Sequence, residues 1–298
     1  MEDFRLRVFL SVSKHKSFTK AASELFVSQP AVTKNIKQLE SDLEIQLFER
    51  KGSFILLTKG GEIFLKHVYK IFDIYHEIQL DLGLIKNNKQ GALKIGASTT
   101  VAQYFISPIL ASFYEQFPKI QLSLLNGNTL QIENALLDKS IDIGLVEGKK
   151  HRPGLKYMDF IEDELVAVVH SKSKLSKNQQ IALENLYEIP LVMRERGSGT
   201  LEVIESALKE NGIKLGNLNV IMHLGSTESI KSFLEFSNAL AFFSLKAIQK
   251  EVEKGEFKIL QIENFRILRK FSFVHVQGFQ DSLSTSFIHF SKKHYNQK

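Results

Sequence analysis

Apolar residues recur at helical spacing through the first part of the chain and predict three consecutive helices. The first helix ends before Lys16 and has an apolar face made of Phe4, Val8, Phe9 and Val12. The second is predicted to begin at Thr19, whose hydroxyl can cap a helix. Ser28 caps the third, which carries Pro30 in its first turn, where a missing N–H costs nothing. This third helix is expected to bury Ile36, Leu39 and Leu43.

The helical period fails after the third helix and returns at Thr58. Residues 47–50 and 54–57 are typical of two short strands joined by a turn. From Thr58 an apolar helical pattern continues to about Lys86, and residues 87–91 form a polar linker. A helix of this length usually pairs with another helix.

After Gly91 the pattern changes to alternating strands and helices. Strands are predicted at 92–96, 120–125 and 141–146, with helices at 102–117 and 130–138. A second run has strands at 164–170, 190–193, 220–223 and 239–243, with helices at 200–210 and 226–236. This order indicates parallel sheets covered by helices. Two such runs predict two lobes with a cleft between them.

The second and third helices have the spacing of a helix-turn-helix, because only residues 26–28 separate them. The second helix of such a unit places its first residues on base edges in the major groove. Gln29 suits adenine, and Pro30 and Ala31 suit a thymine methyl group. The complete candidate DNA-binding set, with Arg50 and Lys51 at the hairpin tip, is Ser28, Gln29, Pro30, Ala31, Thr33, Lys34, Lys37, Arg50 and Lys51. On spacing alone, a solvated helix face explains these residues equally well.

Five polar turns follow predicted strands in the second part of the chain and include several helix starts. Hydroxyls and free N–H groups at a helix start favour a carboxylate or phosphate, and ligands of α/β sheets settle beyond the carboxyl ends of strands. The candidate ligand-binding residues in these turns are Ser98, Thr99, Thr100, Thr129, Glu147, Arg194, Ser198, Thr200, Ser226 and Thr227. For any one turn, plain helix capping by Ser98, Thr129, Ser198 or Ser226 is the simpler explanation.

Composition excludes several classes of function. The chain has no cysteine, which rules out thiol catalysis, disulfides and thiolate zinc sites. Its nine histidines form no paired metal motif on a helix, and no catalytic motif is present, so neither a metal, a catalytic residue nor a cofactor is expected. The net charge of +6 fits a nucleic-acid partner. The charged start and the lack of a long apolar segment predict a cytoplasmic protein that does not use a membrane.

Residues 1–61 contain the segments SFTKAA (17–22), LFVSQPAVT (25–33), LFER (47–50) and LTKGG (57–61). In order and spacing these segments resemble the signature of LysR-type transcriptional regulators. The resemblance implies that Gln29, Pro30, Thr33 and Lys34 lie in the reading helix and Arg50 in the wing. Three residues depart from the family pattern: Glu44 stands where glycine is usual, Ser53 where many members have a wing arginine, and Gly60 where alanine is common.

The fold class implied by the resemblance is a multi-domain α+β chain. A winged helix-turn-helix occupies residues 1–61 and a linker and dimerisation helix 58–90. An α/β effector domain, similar to type-2 periplasmic binding proteins, occupies 91–298, with one lobe from 91–160 plus about 265–298 and the other from about 161–264. By position the resemblance implies ligand contacts from Ser98, Thr99, Thr100, Thr129 and Thr200. It also implies a homodimer, often a homotetramer, on double-stranded promoter DNA, with RNA polymerase as a further partner.

The stretch RERGSGT (194–200) resembles the branch of carbon-fixation and cysteine-metabolism regulators, although Leu201 stands where these often have arginine. The leading hypothesis is a regulator whose promoter binding is modulated by a small anionic metabolite in the cleft. A regulator with a vestigial, ligand-free cleft is one alternative. A small-molecule carrier is another, opposed by the N-terminal 61 residues, and an enzyme on the α/β lobes is opposed by the missing catalytic motifs.

Overall fold

A computed structural model describes residues 3–51, 54–86, 91–278 and 282–296. The chain forms two compact units, Met1–Asn88 and Lys89–Lys298. The elements of the first unit are α1 (Phe4–His15), α2 (Phe18–Glu24), α3 (Gln29–Leu43), β1 (Phe48–Lys51), β2 (Phe54–Leu57) and α4 (Lys59–Lys86).

Side-chain caps fix the starts of the helices in the first unit. Asp3 accepts a hydrogen bond from the Arg5 amide at the start of α1. Ser17, and not Thr19 as predicted, caps α2, because its hydroxyl accepts from the Lys20 amide at 3.3 Å. Ser28 caps α3 as predicted, accepting from the Ala31 amide at 3.4 Å. Each of these caps satisfies an amide that has no partner within its helix.

The core of the first unit lies between α1, α2, α3, the hairpin and one face of α4. Ile36 and Leu39 are buried as predicted, but Leu43 is 40% exposed, so the prediction for it was wrong. Leu43 is the last residue of α3, and the chain turns away at Glu44 with a left-handed φ of 53°. Glycine tolerates that conformation best, which explains why the family prefers it there.

The second unit is a mixed sheet with helices packed on it. Its first elements are β3 (Gly91–Ser98), α5 (Thr99–Tyr104), α6 (Ser107–Gln116), β4 (Ile120–Gly127), α7 (Thr129–Leu137), β5 (Ile143–Glu147) and β6 (Leu155–His170). The next are β7 (Gln180–Ile181), β8 (Leu191–Arg194), α8 (Gly199–Glu210), β9 (Val220–Leu224), α9 (Thr227–Glu235) and β10 (Leu240–Ser244). The last are α10 (Leu245–Glu253), β11 (Phe257–Ile262), β12 (Ile267–Val276) and α11 (Ser282–Asn296).

Two lobes share this sheet, whose strand order is β4-β3-β5-β12-β6-β10-β8-β9. Lobe I has a core under β3, β5 and α6, to which the ends of β6 and β12 contribute Ile161, Phe271 and Phe273. Lobe II has a core around β8, β10 and α8, with Leu165 and Ile267 from the same two strands. The antiparallel pair β6 and β12 therefore passes from one lobe into the other.

The parallel order of the first lobe decides where its polar turns lie. β3 pairs in parallel with both β4 and β5, so the carboxyl ends of these strands, Ser98, Gly127 and Glu147, meet at one edge. In lobe II, β8 pairs in parallel with β9 and β10, which brings together Arg194, Leu224 and Ser244. These two edges face each other across the cleft, because Arg194 of lobe II bonds to Thr99 of lobe I.

Candidate functional site

The start of α3 presents a polar surface to solvent. Ser28, Gln29 and Pro30 are exposed, as are Lys34 and Lys37 further along the helix. Ala31 and Thr33 are half-buried beside them. A shallow groove of about 560 Å³ runs along this face, lined by Gln29, Pro30, Thr33, Lys34, Lys37 and Gln38.

Two side chains of this surface, Gln29 and Thr33, are hydrogen-bonded to each other. The Gln29 amide donates to the Thr33 hydroxyl at 3.3 Å, and that hydroxyl donates to the Gln29 carbonyl at 3.1 Å. The amide oxygen of Gln29 and its second N–H group have no partner among the described residues and remain available for a base edge. Lys34 and Lys37 differ by three residues, so they lie on the same face of α3.

The hairpin carries the two predicted wing cations at one end. Arg50 and Lys51 are the last residues of β1, where they pair with Ile55 and Phe54 of β2. Glu40 of α3 accepts hydrogen bonds from the Leu47 and Phe48 amides at 2.8 and 3.2 Å, which ties the hairpin to the reading helix. Ser53, the position of the wing arginine in many family members, lies outside the described residues.

In the second unit the two lobes meet at the carboxylate of Glu147, which is 2% exposed. The Ser98 hydroxyl of lobe I donates to its Oε2 atom. The Thr200 hydroxyl of lobe II donates to Oε1 at 2.9 Å. One buried carboxylate therefore holds together the first turns of two helices from opposite lobes.

The backbones of the lobes also touch at Glu147. A Cβ atom on Gly199 would lie 1.9 Å from the Glu147 carbonyl oxygen, so only glycine fits at this approach. The Thr129 hydroxyl donates to the same carbonyl at 2.8 Å. The same hydroxyl would lie 2.6 Å from a Cβ on Gly199 of lobe II, so Thr129 belongs to the contact between the lobes. The cap of its own helix is Asn128, which accepts from the Gln131 amide.

Arg194 joins three of the five polar turns. Its guanidinium is buried, and Nη2 donates to the Thr99 hydroxyl and to the Gly225 carbonyl, each at 3.3 Å. Its Nε atom donates to Glu195 at 2.8 Å. Because Thr99 comes from lobe I and Gly225 from lobe II, Arg194 is a second tie across the cleft.

The structure separates the ligand hypothesis from the capping alternative turn by turn. Ser226 is half-buried and caps α9, accepting from the Ser229 amide at 3.1 Å. Ser98 and Ser198 stand at the cap positions of α5 and α8 but make no cap hydrogen bond. Thr100 and Thr227 are buried in the same turns. Capping therefore accounts for Ser226 and not for the other two serines.

Sequence reasoning missed three buried polar residues of this cluster: Arg269, Asp163 and Ser244. Arg269 and Asp163 are register partners where β12 and β6 cross between the lobes, and they pair at 2.7 Å. Arg269 also donates to the Thr200 hydroxyl at 2.8 Å, and Ser244 donates to Asp163 at 2.7 Å. The Nη2 atom of Arg269 is buried without a hydrogen-bond partner in the described part of the chain. The alternation Ile267, Arg269, Phe271 places a charge at inward positions of a strand, which is the signal that would have revealed it.

A cavity of about 890 Å³ opens beside this cluster, between α7 of lobe I and α8 of lobe II. Thr129 and Ser198 line it, together with the cations Lys150, Arg152 and Arg196. Glu133 also lines it, and burial raises the pKa of that carboxyl although Tyr157 donates a hydrogen bond to it at 2.7 Å. Burial likewise raises the pKa of Tyr157 to about 12. The lining, with its cations and hydroxyl groups, is suited to binding a small polar molecule.

Across residues 3–51, 54–86, 91–278 and 282–296, no three His, Asp or Glu side chains form a group that could hold a metal ion. No helix within those same ranges is both long enough and apolar enough to cross a membrane.

Known families and proteins match both units. The family described as "Bacterial regulatory helix-turn-helix protein, lysR family" matches residues 4–62, and the "LysR substrate binding domain" matches residues 86–296. A probable RuBisCO transcriptional regulator of Thalassiosira pseudonana is 36% identical over 91% of this chain and 90% of its own length. The HTH-type transcriptional regulator CysL of Bacillus subtilis is 30% identical over 91% and 89%.

A solved structure extends the likeness to the second unit. The regulatory domain of Synechocystis PCC6803 CcmR, in complex with 2-PG, superposes with a TM-score of 0.62 at 25% identity. It covers 68% of this chain and 97% of that domain. The prediction from the helix-turn-helix motif and the two-lobed pattern is thus confirmed at the level of family and fold. The chain belongs to the lysR family of bacterial regulatory helix-turn-helix proteins, as a DNA-binding transcription regulator with an effector-binding domain.

Proposed function

We propose that a small molecule bound between the two lobes controls how this regulator engages promoter DNA. The observation that carries the proposal is the convergence of Ser98 and Thr200, from opposite lobes, on the Glu147 carboxylate. Any molecule that competes for these hydroxyls changes the contacts that hold the lobes together. A binding event is thereby converted into a change of lobe orientation.

The ligand class that the cavity favours is a small anion with a carboxylate or phosphate group. The start of α8 offers free backbone amides and the hydroxyl of Ser198, which makes no cap hydrogen bond. Arg196 stands beside them with no acidic partner among the described residues. The 2-PG complex of the similar CcmR domain supports a small-molecule effector. The proposed ligand contacts are the nine candidate residues of the polar turns that remain when Ser226 is left out, with Arg196 added.

One observation favours a second candidate, a regulator whose cleft needs no ligand. Glu147 already occupies the hydroxyl groups that would receive an anionic group, and Arg269 lies 3.5 Å from it. A carboxylate supplied by the chain itself would then hold the lobes permanently in one arrangement.

A thermal-shift screen of the full-length chain with small carboxylic and phosphorylated acids separates the two. A ligand at a hundred times its Kd should stabilise the protein by about 2.7 kcal/mol. The Arg196→Ala variant should lose that shift. Arg266→Ala should keep it, because Arg266 is exposed and pairs with Glu164 away from the cavity. If none of the acids shifts the wild-type protein, the ligand-free alternative is the better account.

For the assembly we infer a homodimer through α4, with a homotetramer and contact with RNA polymerase as further steps. One face of α4 packs on the core of the first unit through Val68, Phe64 and Phe72. Ile63 and Ile74 lie on the other side and are 57% and 53% exposed. They are eleven residues apart, which is about three helical turns, so they form one stripe. Action on genomic DNA favours a cytoplasmic protein, and binding without catalysis or a cofactor is sufficient for this role.

A further inference from the structure

The turn between α2 and α3 holds an aromatic ring that the fold leaves almost entirely in solvent. Phe26 is 95% exposed. Its neighbours Leu25 and Val27 are partly buried and pack against the core of the first unit. The turn is therefore firmly attached, while the ring between these two residues has no role in that core.

The backbone of Phe26 is also in the conformation least suited to a bulky residue. Its φ is 55°, in the left-handed region. The Val27 amide donates to the Ala22 carbonyl at 3.0 Å, and the Phe26 amide donates to the Ser23 carbonyl at 3.4 Å. These two bonds form a Schellman motif with Phe26 at the position where glycine or asparagine is usual. Stability of the free protein would favour either of those residues over phenylalanine.

The ring lies at the entrance to the reading helix. Phe26 is two residues before Ser28, so their Cα atoms are within about 7.6 Å of each other. Ser28 caps α3, and the exposed Gln29 and Pro30 follow it. In a helix-turn-helix this end of the second helix enters the major groove, and its neighbouring backbone runs past the phosphates.

We propose that the Phe26 ring packs against the sugar–phosphate backbone of bound DNA at the edge of the major groove. The surroundings of the ring favour DNA over a protein partner. The exposed residues next to it in sequence, Ser23, Glu24, Ser28 and Gln29, are polar, so the ring is isolated rather than part of an apolar patch. A contact with deoxyribose strengthens binding to every sequence and leaves base reading to α3.

The test compares Phe26→Asn with Phe236→Asn in the full-length protein. Asparagine suits the left-handed turn, so Phe26→Asn should melt at or above the wild-type temperature while losing the ring. Phe236 is 89% exposed in lobe II and serves as the matched control. Affinity is measured by fluorescence anisotropy at constant salt, on a duplex that the wild-type protein selects from a random library and on a scrambled duplex.

Phe26→Asn is expected to bind both duplexes about tenfold more weakly, a loss of ~1.4 kcal/mol, and Phe236→Asn as tightly as wild type. Phe26→Tyr, which keeps the ring, should also bind as wild type. The contact is overturned if Phe26→Asn binds DNA with wild-type affinity. It is also overturned if light scattering shows that this variant forms a smaller assembly while its DNA binding is intact. A loss confined to the selected duplex overturns the backbone assignment in favour of base reading. The inference rests on DNA binding by α3, which titration of the wild-type protein and of Gln29→Ala tests separately.

Discussion

At the start of α3 a single hydrogen-bonded pair sets the orientation of the side chain that faces DNA. Gln29 and Thr33 lie one turn apart and bond to each other. A pre-ordered amide loses less conformational entropy when it meets a base than a mobile one does. Lys37, one turn further along and exposed, has no such bond to any residue that the structure describes and suits a phosphate.

The variants Gln29→Ala and Lys37→Ala should therefore have different effects on DNA binding. Gln29→Ala should weaken the selected duplex by about 1–3 kcal/mol and spare a scrambled one. Lys37→Ala should weaken both alike and reduce the salt dependence of binding by about one charge. Anisotropy titrations at several salt concentrations measure both effects. Equal losses on the two duplexes for Gln29→Ala would remove it from the base-reading set.

Gly199 is the residue on which closure of the lobes depends, because its Cα approaches the Glu147 carbonyl. Gly199→Ala should force the lobes apart at this point and break the Thr200 to Glu147 bond, destabilising the second unit by about 1–3 kcal/mol. Gly225→Ala is the control, since nothing lies within 4 Å of its added Cβ. Thermal unfolding gives the comparison, and equal melting temperatures for the two variants would contradict the close approach.

Glu24 links α2 to α1 and gives the first unit a pH-dependent contribution. Lys14 donates to its carboxylate at 2.6 Å and Ser11 also donates, which lowers the pKa of Glu24 from 4.5 to about 2. The stabilisation is complete above the ordinary pKa and is lost as the pH falls through the lowered one. Because the side chain is 36% exposed, the contribution is only about 1 kcal/mol.

Glu24→Gln should accordingly lower the melting temperature at neutral pH. The difference from wild type should shrink as the pH falls from 4.5 toward about 2. Melting curves over this range check the sign. A difference that grows on acidification would mean that the carboxylate does not stabilise the native state.

At the scale of elements, the sequence predicted the helices whose formation depends on residues close together in the chain. Helices whose caps and apolar spacing lie within a few residues, such as α3, were predicted nearly to the residue. The predicted helix 102–117 is instead α5 and α6, broken at Phe105 and Ile106, because Pro108 in the first turn of α6 cannot continue the hydrogen bonds of a preceding helix. The spacing of apolar residues does not reveal a break in a helix when the apolar face continues on both sides of it.

The first half of β6 was not predicted, since charged residues interrupt its alternation. That half is held by β12, more than a hundred residues later in the chain, and such pairing leaves no local signal. The same reason accounts for Arg269 and Asp163: the polar turns marked the helix starts of the cleft, whereas these two residues come from strand interiors. The convergence of the turns on Glu147 is likewise a product of strand order.

The start of α2 allows a direct test of its cap. Ser17→Ala should cost about 1 kcal/mol of stability because the Lys20 amide loses its acceptor. Thr19→Ala should cost much less, since its side chain is exposed and makes no cap bond among the described residues. Chemical denaturation of both variants measures the two losses. A larger loss for Thr19→Ala would restore the cap predicted from the sequence.

For the whole molecule, the exposed stripe on α4 decides the assembly. Ile74→Glu places a charge in the middle of the proposed dimer contact and should yield monomers by light scattering. Tyr69→Glu is the matched control, because Tyr69 is 57% exposed but lies about a third of a turn from that stripe. If Ile74→Glu is still a dimer, the dimer interface does not lie on this stripe of α4.

The path of β12 has a consequence for how the protein is made. Lobe I is assembled from two distant parts of the chain, and β5, which already pairs with β3, acquires its second neighbour only when residues 267–276 have been synthesised. The core of lobe II comes almost entirely from one continuous part of the chain, so this lobe can fold earlier. Until then β5 has an open edge that can pair with another chain. Emergence of β12 from the ribosome is therefore the step at which aggregation competes with folding, and chaperones would act most usefully there.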